Sequence, residues 1–402
     1  MTSSDALTDT PPISDENIKV TAIRKPDVWS MPRCRLLVNG AERSGFGVVS
    51  FNLQCTRYAR CDTLDMTVGF DTTATQPPYW FDVFPPEQGK TLPDIEVQLQ
   101  MRDAEKDGAQ WVTVFQGVLD HVSLQPHRGQ VQTQCRDYLA KLMDMRVQEA
   151  WLNLTGPELM KAVITAAGLT PDVQFSSGME GQFWQIEHKR QSSHGQTRFQ
   201  TAFDLARYVA NGANCDLYAD GRTIVCRPFP SMPSADANTP KIKYIPPRDV
   251  GFPQAPVIDL SLERDYQTAK GIVVHCMSWD SKQRIKSEVY FSALGPSKKN
   301  ALQNGTLHSF RFPGLKQDQL EGKAEALYKQ IVAHERTISL TIPGRIHLAP
   351  RQFLTLTGTG TTWDGTRDVD AVTSSLDWSG GYTQTVTLRT RDASDQEGGE
   401  YD

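Results

Sequence analysis

The sequence predicts a mainly β protein with an α+β insertion: two small antiparallel β-barrels, each with an accompanying helix, joined by a compact α+β module. Three observations predict it. Stretches of strict polar/apolar alternation, the period of a half-buried strand, recur near both ends, as in residues 95–100, 337–342 and 383–388. Turn signals separate them, among them Asn39-Gly40, Pro343-Gly344, Asp364-Gly365 and Gly380-Gly381. Between the two β-rich parts, the pattern changes to capped helices.

In chain order, residues 1–17 are rich in Ser, Thr and Asp and are expected to form a disordered tail; they lack the basic start and apolar core of a signal peptide. Residues 18–147 form the expected first barrel, with strands at 33–38, 48–53, 64–68, 95–100, 111–115, 117–124 and 131–135. Tyr138, Leu139, Leu142 and Met143 then share one helical face. Residues 148–230 form the module. Thr155-Gly156-Pro157-Glu158 is a capping box ahead of Leu159, Val163 and Ile164, and Thr201 to Asp204 is a second cap. The Asp220-Gly221 turn makes a hairpin of its last strands. Residues 231–256 are expected to be a proline-rich linker. The second barrel spans 257–390 and includes an amphipathic helix at 318–336, whose Leu320, Ala324, Leu327, Tyr328 and Ile331 lie on one face. That helix is expected to rest on the strands at 337–342, 353–357 and 383–388. Residues 391–402 are an acidic tail. The barrels are similar in make-up, but no repeat aligns residue by residue.

A chain of 402 residues with 39% hydrophobic and 22% charged residues has ample material for cores in two to four domains. A net charge of −5 asks for neither nucleic acid nor an anionic membrane as main partner, and no apolar run is long enough to cross a bilayer. Seven cysteines without a CxxC pair read as reduced, structural thiols of a protein made in the cytosol. Pairing of Cys55 with Cys61, or of Cys215 with Cys226, stays open.

Catalytic and cofactor motifs are scarce. There is no HExxH, GxSxG or GxxxxGK[ST], and no cofactor, metal ligand set or catalytic residue is assigned. Gly358-Thr359-Gly360 lies between strands, with no helix to present amides to a phosphate. His188 and His194 lack a third ligand and read as loop residues. Asp368 and Asp370 share a strand face as any half-exposed strand shows, so hydrolysis there is a minor alternative. Lys282, Arg284 and Lys286 form a basic strand face that reads as a charged edge, with contact to DNA or a partner left open. The candidate partner interface is Pro77, Pro78, Tyr79, Trp80, Phe81 and Phe84, aromatics bracketed by prolines. Exposed, it contacts a neighbour; buried, it staples its own domain.

Two passages carry a family likeness. "FQGVLDHVSL…VQTQCRDYLAKLMD" and the closing "LAPRQFLTLTG", "VDAVTSSLDW", "GGYTQTVTLR" resemble, in order and spacing, phage tail baseplate hub proteins of the late control protein D family, relatives of the N-terminal part of VgrG spikes. The resemblance covers roughly residues 18–390. It implies tail-tube-like barrels and a homotrimer that forms a pseudo-six-fold ring, adapting a hexameric tail tube or distal tail protein above to a trimeric spike below. It further implies baseplate wedge or sheath-side neighbours, DNA only in transit, no membrane insertion, assembly in the host cytoplasm, and a place in the virion baseplate. Because the second barrel is followed by only about a dozen residues, the spike is expected to be a separate protein. The alternatives are a carbohydrate- or receptor-binding β-protein of a phage tail, using the aromatics at 79–84, and a cell-wall hydrolase.

Overall fold

Alternation builds the first β-unit from β1 (Pro32–Val38), β2 (Ala41–Glu42), β3 (Phe46–Thr56), β4 (Thr63–Phe70), β5 (Glu96–Asp103), β6 (Val112–Gln125) and β7 (Gln130–Asp137). The computed structural model describes residues 31–57, 60–77, 79–83, 92–104, 108–147, 151, 154–175, 199–229, 239–245, 257–280, 285–300, 305–312, 315–346 and 348–389. Inward positions such as Leu36, Leu53, Leu64, Leu99 and Phe115 close on one core. The β1–β2 turn needs positive φ at two successive residues, and Asn39 and Gly40 supply it at 51° and 77°.

Helix α1 (Leu139–Asp144) follows β7 at once. It does not close the first unit as an accompanying helix. Its Leu139, Ala140 and Leu142 instead belong to the core of the middle module, with Leu159, Ile164, Leu205 and Val209. The module comprises α2 (Gly156–Ala166), β8 (Thr170–Val173), α3 (Ala202–Gly212), β9 (Cys215–Asp220) and β10 (Thr223–Pro228). Both expected caps form, the Thr155–Glu158 box and the Thr201 hydroxyl accepting from the Asp204 amide.

The remaining elements are β11 (Lys241–Lys243), β12 (Asp259–Arg264), α4 (Tyr266–Ala269), β13 (Ile272–Asp280), β14 (Ile285–Ser292), β15 (Gly295–Ser297), β16 (Thr306–Arg311), α5 (Gln317–Val332), β17 (Arg336–Pro343), β18 (Phe353–Thr357), β19 (Gly365–Asp377) and β20 (Gly381–Arg389). The stretch read as a linker thus contributes a strand. Lys-Ile-Lys alternation buries Ile242 while β11 runs parallel to β18.

Helix α5 also departs from expectation. It lies on a separate four-stranded sheet, β15-β14-β13-β16, rather than on β17–β20. Leu320, Ala324, Tyr328 and Val332 pack there against Ile272, Val274, Cys276 and Val289. Burying each large side chain contributes about 1.5–3 kcal/mol, which fixes the helix to that layer. Residues 265–335 are therefore an insertion between β12 and β17.

The two β-units are not separate closed barrels in their hydrogen-bond order. One 13-stranded sheet runs β12-β17-β20-β19-β3-β4-β7-β6-β5-β1-β2, with β18 and β11 branching from β19, and the antiparallel β19–β3 pair joins the units. Each unit has a core, that of the first also taking in Ile346 and Tyr382 from the second. Their topologies agree: β3-β4-β7-β6-β5 and β12-β17-β20-β19-β18 place five successive strands of each unit in the same spatial order.

Close packing of β6 on β7 is tightest at Gly117, where an added Cβ would sit 2.1 Å from the Arg136 carbonyl oxygen. Gly117→Ala is expected to destabilise the chain by about 1–3 kcal/mol, read as a lower urea midpoint.

Candidate assembly surface

Three parts of the chain meet at one guanidinium. Arg57 leaves the end of β3 with its side chain fully buried. Its Nε and Nη2 donate to Asp216 Oδ2 of β9 at 3.0 and 2.9 Å, and its Nη1 donates to Asp368 Oδ1 of β19 at 2.9 Å. The Phe229 ring lies 4.8 Å away. Burial opposes the charge, but Asp216 and Asp368 more than offset it and raise the pKa above the ordinary arginine value. A second arginine supports the first. Arg351 adopts φ 72° and places its guanidinium 3.9 Å from the centre of the Tyr218 ring of β9, while donating to the Thr56 carbonyl at 3.3 Å. Burial lowers its pKa.

Beside this contact, Asp62 accepts from the Thr56 amide, and the Asp62 amide donates to Asp137 Oδ2, each at 3.0 Å. Burial, then the neighbouring Asp62 charge, pushes the Asp137 carboxyl up to about 7. A polar cleft of about 360 Å3 is lined by Asn39, Gly40, Asp94, Glu96, Tyr138 and Arg222. Its carboxylates are engaged: Glu96 by the Tyr138 hydroxyl and Arg222, Asp94 by Lys141. Lys323 of α5 donates to the carbonyls of Asn211 and Gly212 at the end of α3, tying the inserted layer to the module.

The joined sheet presents one outward face across β12-β17-β20-β19-β3-β4-β7-β6. It is made largely of uncharged polar side chains, such as Thr373, Ser375, Thr385, Asn52, Gln54, Gln132 and Gln134, none of them buried. At equivalent places in the two units a strand bulges by one residue, at Asp120 in β6 and at Asp370 in β19. An arginine of the next strand meets each aspartate: Arg136 in the first unit, Arg389 in the second. The repeat shows as a bulge and an ion pair at equivalent places rather than as aligned residues.

The chemistry-bearing residues find structural roles. Asp368 and Asp370 are buried rather than on a half-exposed strand, held by Arg57 and Arg389. The Asp364 carboxylate accepts the amides of Gly358, Thr359 and Gly360 at 3.1–3.2 Å, so that loop's donors are already used. His188, His194, Lys282 and Arg284 lie outside the described residues, as do Pro78 and Phe84. Among the described residues no group of three His, Cys, Asp or Glu could hold a metal, and no helix is long and apolar enough to cross a membrane. All seven cysteines are free thiols.

Tyr79, Trp80 and Phe81 are half-buried over Phe46 and Phe70, with Phe70–Tyr79 and Phe46–Trp80 centroids 5.3 and 6.1 Å apart. Pro77 precedes them in an exposed position. The cluster fastens its loop to the first unit while keeping part of its surface in solvent. Register places it at the same rim of the face as the β19–β20 turn, where Trp378 is 89% exposed. The sequence reading passed over Trp378. Its setting in a Trp-Ser-Gly-Gly turn, where a large aromatic has no strand partner, is the signal that marks it.

No known family matches this sequence, and no curated protein matches it either. Solved structures do match in shape. A tail protein from Neisseria meningitidis MC58 aligns with a TM-score of 0.61 at 11% identity, over 89% of this chain and 96% of that one. The 43 kDa tail protein of prophage MuSo2 from Shewanella oneidensis aligns at 0.58 and 13%, over 90% and 99%. The chain has the fold of phage tail proteins. A chain of the Francisella PdpA–VgrG complex aligns at 0.53 and 9% identity, over 90% of this chain and 58% of that one. The fold is thus shared with a chain of that VgrG complex as well as with tail proteins.

Replacing Arg57 leaves Asp216 and Asp368 buried without their shared cation. Arg57→Leu is expected to cost about 3–5 kcal/mol in urea unfolding. The Asp137 carboxyl binds its proton more tightly folded than unfolded, so its contribution is present below the ordinary aspartate range and is lost as pH rises towards about 7. Urea midpoints between pH 4 and 8 should therefore fall more steeply with pH for the wild type than for Asp137→Asn.

Proposed function

We propose that this chain is the structural, non-enzymatic baseplate hub of a phage-like tail. Three copies form a pseudo-six-fold ring between a hexameric tail tube and a trimeric spike, leaving a channel for DNA. The observation that carries this is the pair of β-units with one strand order, merged edge to edge into a continuous face. Each unit acts as one barrel-like tube segment, so three chains present six. Strand spacing favours that number. Eight strands per chain at about 4.8 Å give three copies a circumference of about 115 Å, and hence a bore of about 27 Å after side chains. Two copies would leave about 14 Å, narrower than a duplex. The hydroxyl- and amide-rich face, with exposed Asp65, Asp259 and Glu263 among its charges, suits such a bore, because few fixed cations are there to hold phosphates.

The aromatic rim, Tyr79 to Phe81 with Trp378, is the proposed contact with the next tail or baseplate component. The tail proteins of matching fold, and the VgrG complex, support a place in the virion with tail and spike partners. Assembly would take place in the host cytoplasm, and no cofactor is required.

Light scattering combined with negative-stain imaging tests the reading. The expected result is three chain masses and rings with a central hole, from the chain alone or on adding its spike. A monomer under both conditions overturns it, and glycan binding by that monomer would favour a receptor-binding role for the aromatic rim.

A further inference from the structure

We propose that neighbouring copies join by a strand pairing that repeats the junction inside one chain, with residues 121–125 of β6 antiparallel to residues 261–265 of the next copy. This rests on the three-copy reading.

Within the chain, the outer edge of β19 is divided. Residues 365–368 pair with β18, and beyond the Asp370 bulge residues 371–376 pair with β3. The outer edge of β6 is divided in the same way. Strand β5 takes residues 112–118, and beyond the Asp120 bulge no described strand pairs with residues 121–125 on that side. At the other end of the face, β12 pairs, among the described residues, with β17 alone. Such edges are templates for another strand.

The repeat fixes the register. Arg136 lies opposite Thr63, and Thr63 opposite Gln54; Arg389 lies opposite Thr337, and Thr337 opposite Glu263. Glu263 therefore occupies the place of Gln54. By the bulge equivalence Ser123 occupies the place of Thr373, which pairs with Gln54. Ser123 is thus assigned to Glu263 of the next copy, Leu124 to Leu262 and His121 to Asp265.

The backbone phase agrees. The Asp265 amide donates to the Glu335 carbonyl, so Leu262, which is out of that phase, turns its amide and carbonyl to the other edge of β12. Its equivalent in β3, Leu53, is in phase with Arg57, whose amide donates across the junction to the Asp370 carbonyl. The edge left open in β12 is the edge already used in β3.

The test is a disulfide trap in the full chain, Ser123→Cys with Glu263→Cys. A non-hydrogen-bonded antiparallel pair sets Cα atoms about 4.5 Å apart, within disulfide reach. Oxidised glutathione takes up the two electrons and two protons that the thiols lose on forming S–S. Covalent dimers and trimers are expected, severalfold above each single variant and above the off-register pair Ser123→Cys with Asp259→Cys. Light scattering before oxidation reports the ring separately. Trimers that do not cross-link above background, or that link equally off register, overturn the seam and leave the ring standing; a persistent monomer overturns both. Hydrogen exchange on the unmodified chain gives a second reading. The Leu262 amide should slow on trimer formation, and equal exchange in monomer and trimer overturns the seam.

Discussion

One buried cation sets the geometry of the whole chain. Arg57, Asp216 and Asp368 come from the first β-unit, the middle module and the second β-unit, and no two of them are near in sequence. Desolvation consumes much of the attraction between such charges, so the net gain over an apolar contact is small. Its larger effect is on the alternatives. Any sliding of β19 along β3, or any tilting of the module, would strand a carboxylate or the guanidinium away from water. The junction pair β3–β19 holds a single register for that reason, and the continuity of the outward face depends on that register.

The repeat inside the chain lies in topology rather than in residues. Five strands of each unit follow one order, and each unit spends one residue on a bulge that turns an aspartate towards an arginine of the next strand. Bulges bend and twist a strand locally. In β19 the bend lets one edge serve two partners, β18 before it and β3 after it. That division joins the two units edge to edge while most of each core stays within its own unit.

Much of this was legible from local pattern. The alternation at 337–342 and 383–388, the Asn39-Gly40 turn and the two helix caps all appear where the residues place them, because each depends on neighbours a few positions away. The likeness to tail proteins, carried by the order of short motifs, agrees with the fold. What escaped depends on distant partners. The α5 stripe tells that the helix covers a sheet but not which one, and two were available. Asp370 looks half-exposed in an alternating strand, since a bulge reverses the alternation without leaving a mark in the sequence. Lys241 to Lys243 is too short a stretch to stand out among prolines. Arg57 follows an ordinary strand, and only the fold brings its two carboxylates to it.

The insertion at 265–335 has a consequence for how such a ring would look to its neighbours. The first unit connects β3 to β4 through residues 57–62, whereas the second hangs a helix and a four-stranded sheet on the corresponding connection. Viewed down the bore of the proposed ring, neighbouring segments would be near-equivalent; viewed from outside, only every second one would be decorated. A component docking against the lumen-side rim would meet sixfold repetition, and one approaching radially would find three addresses. A single unequal loop is enough to give one object two different counts.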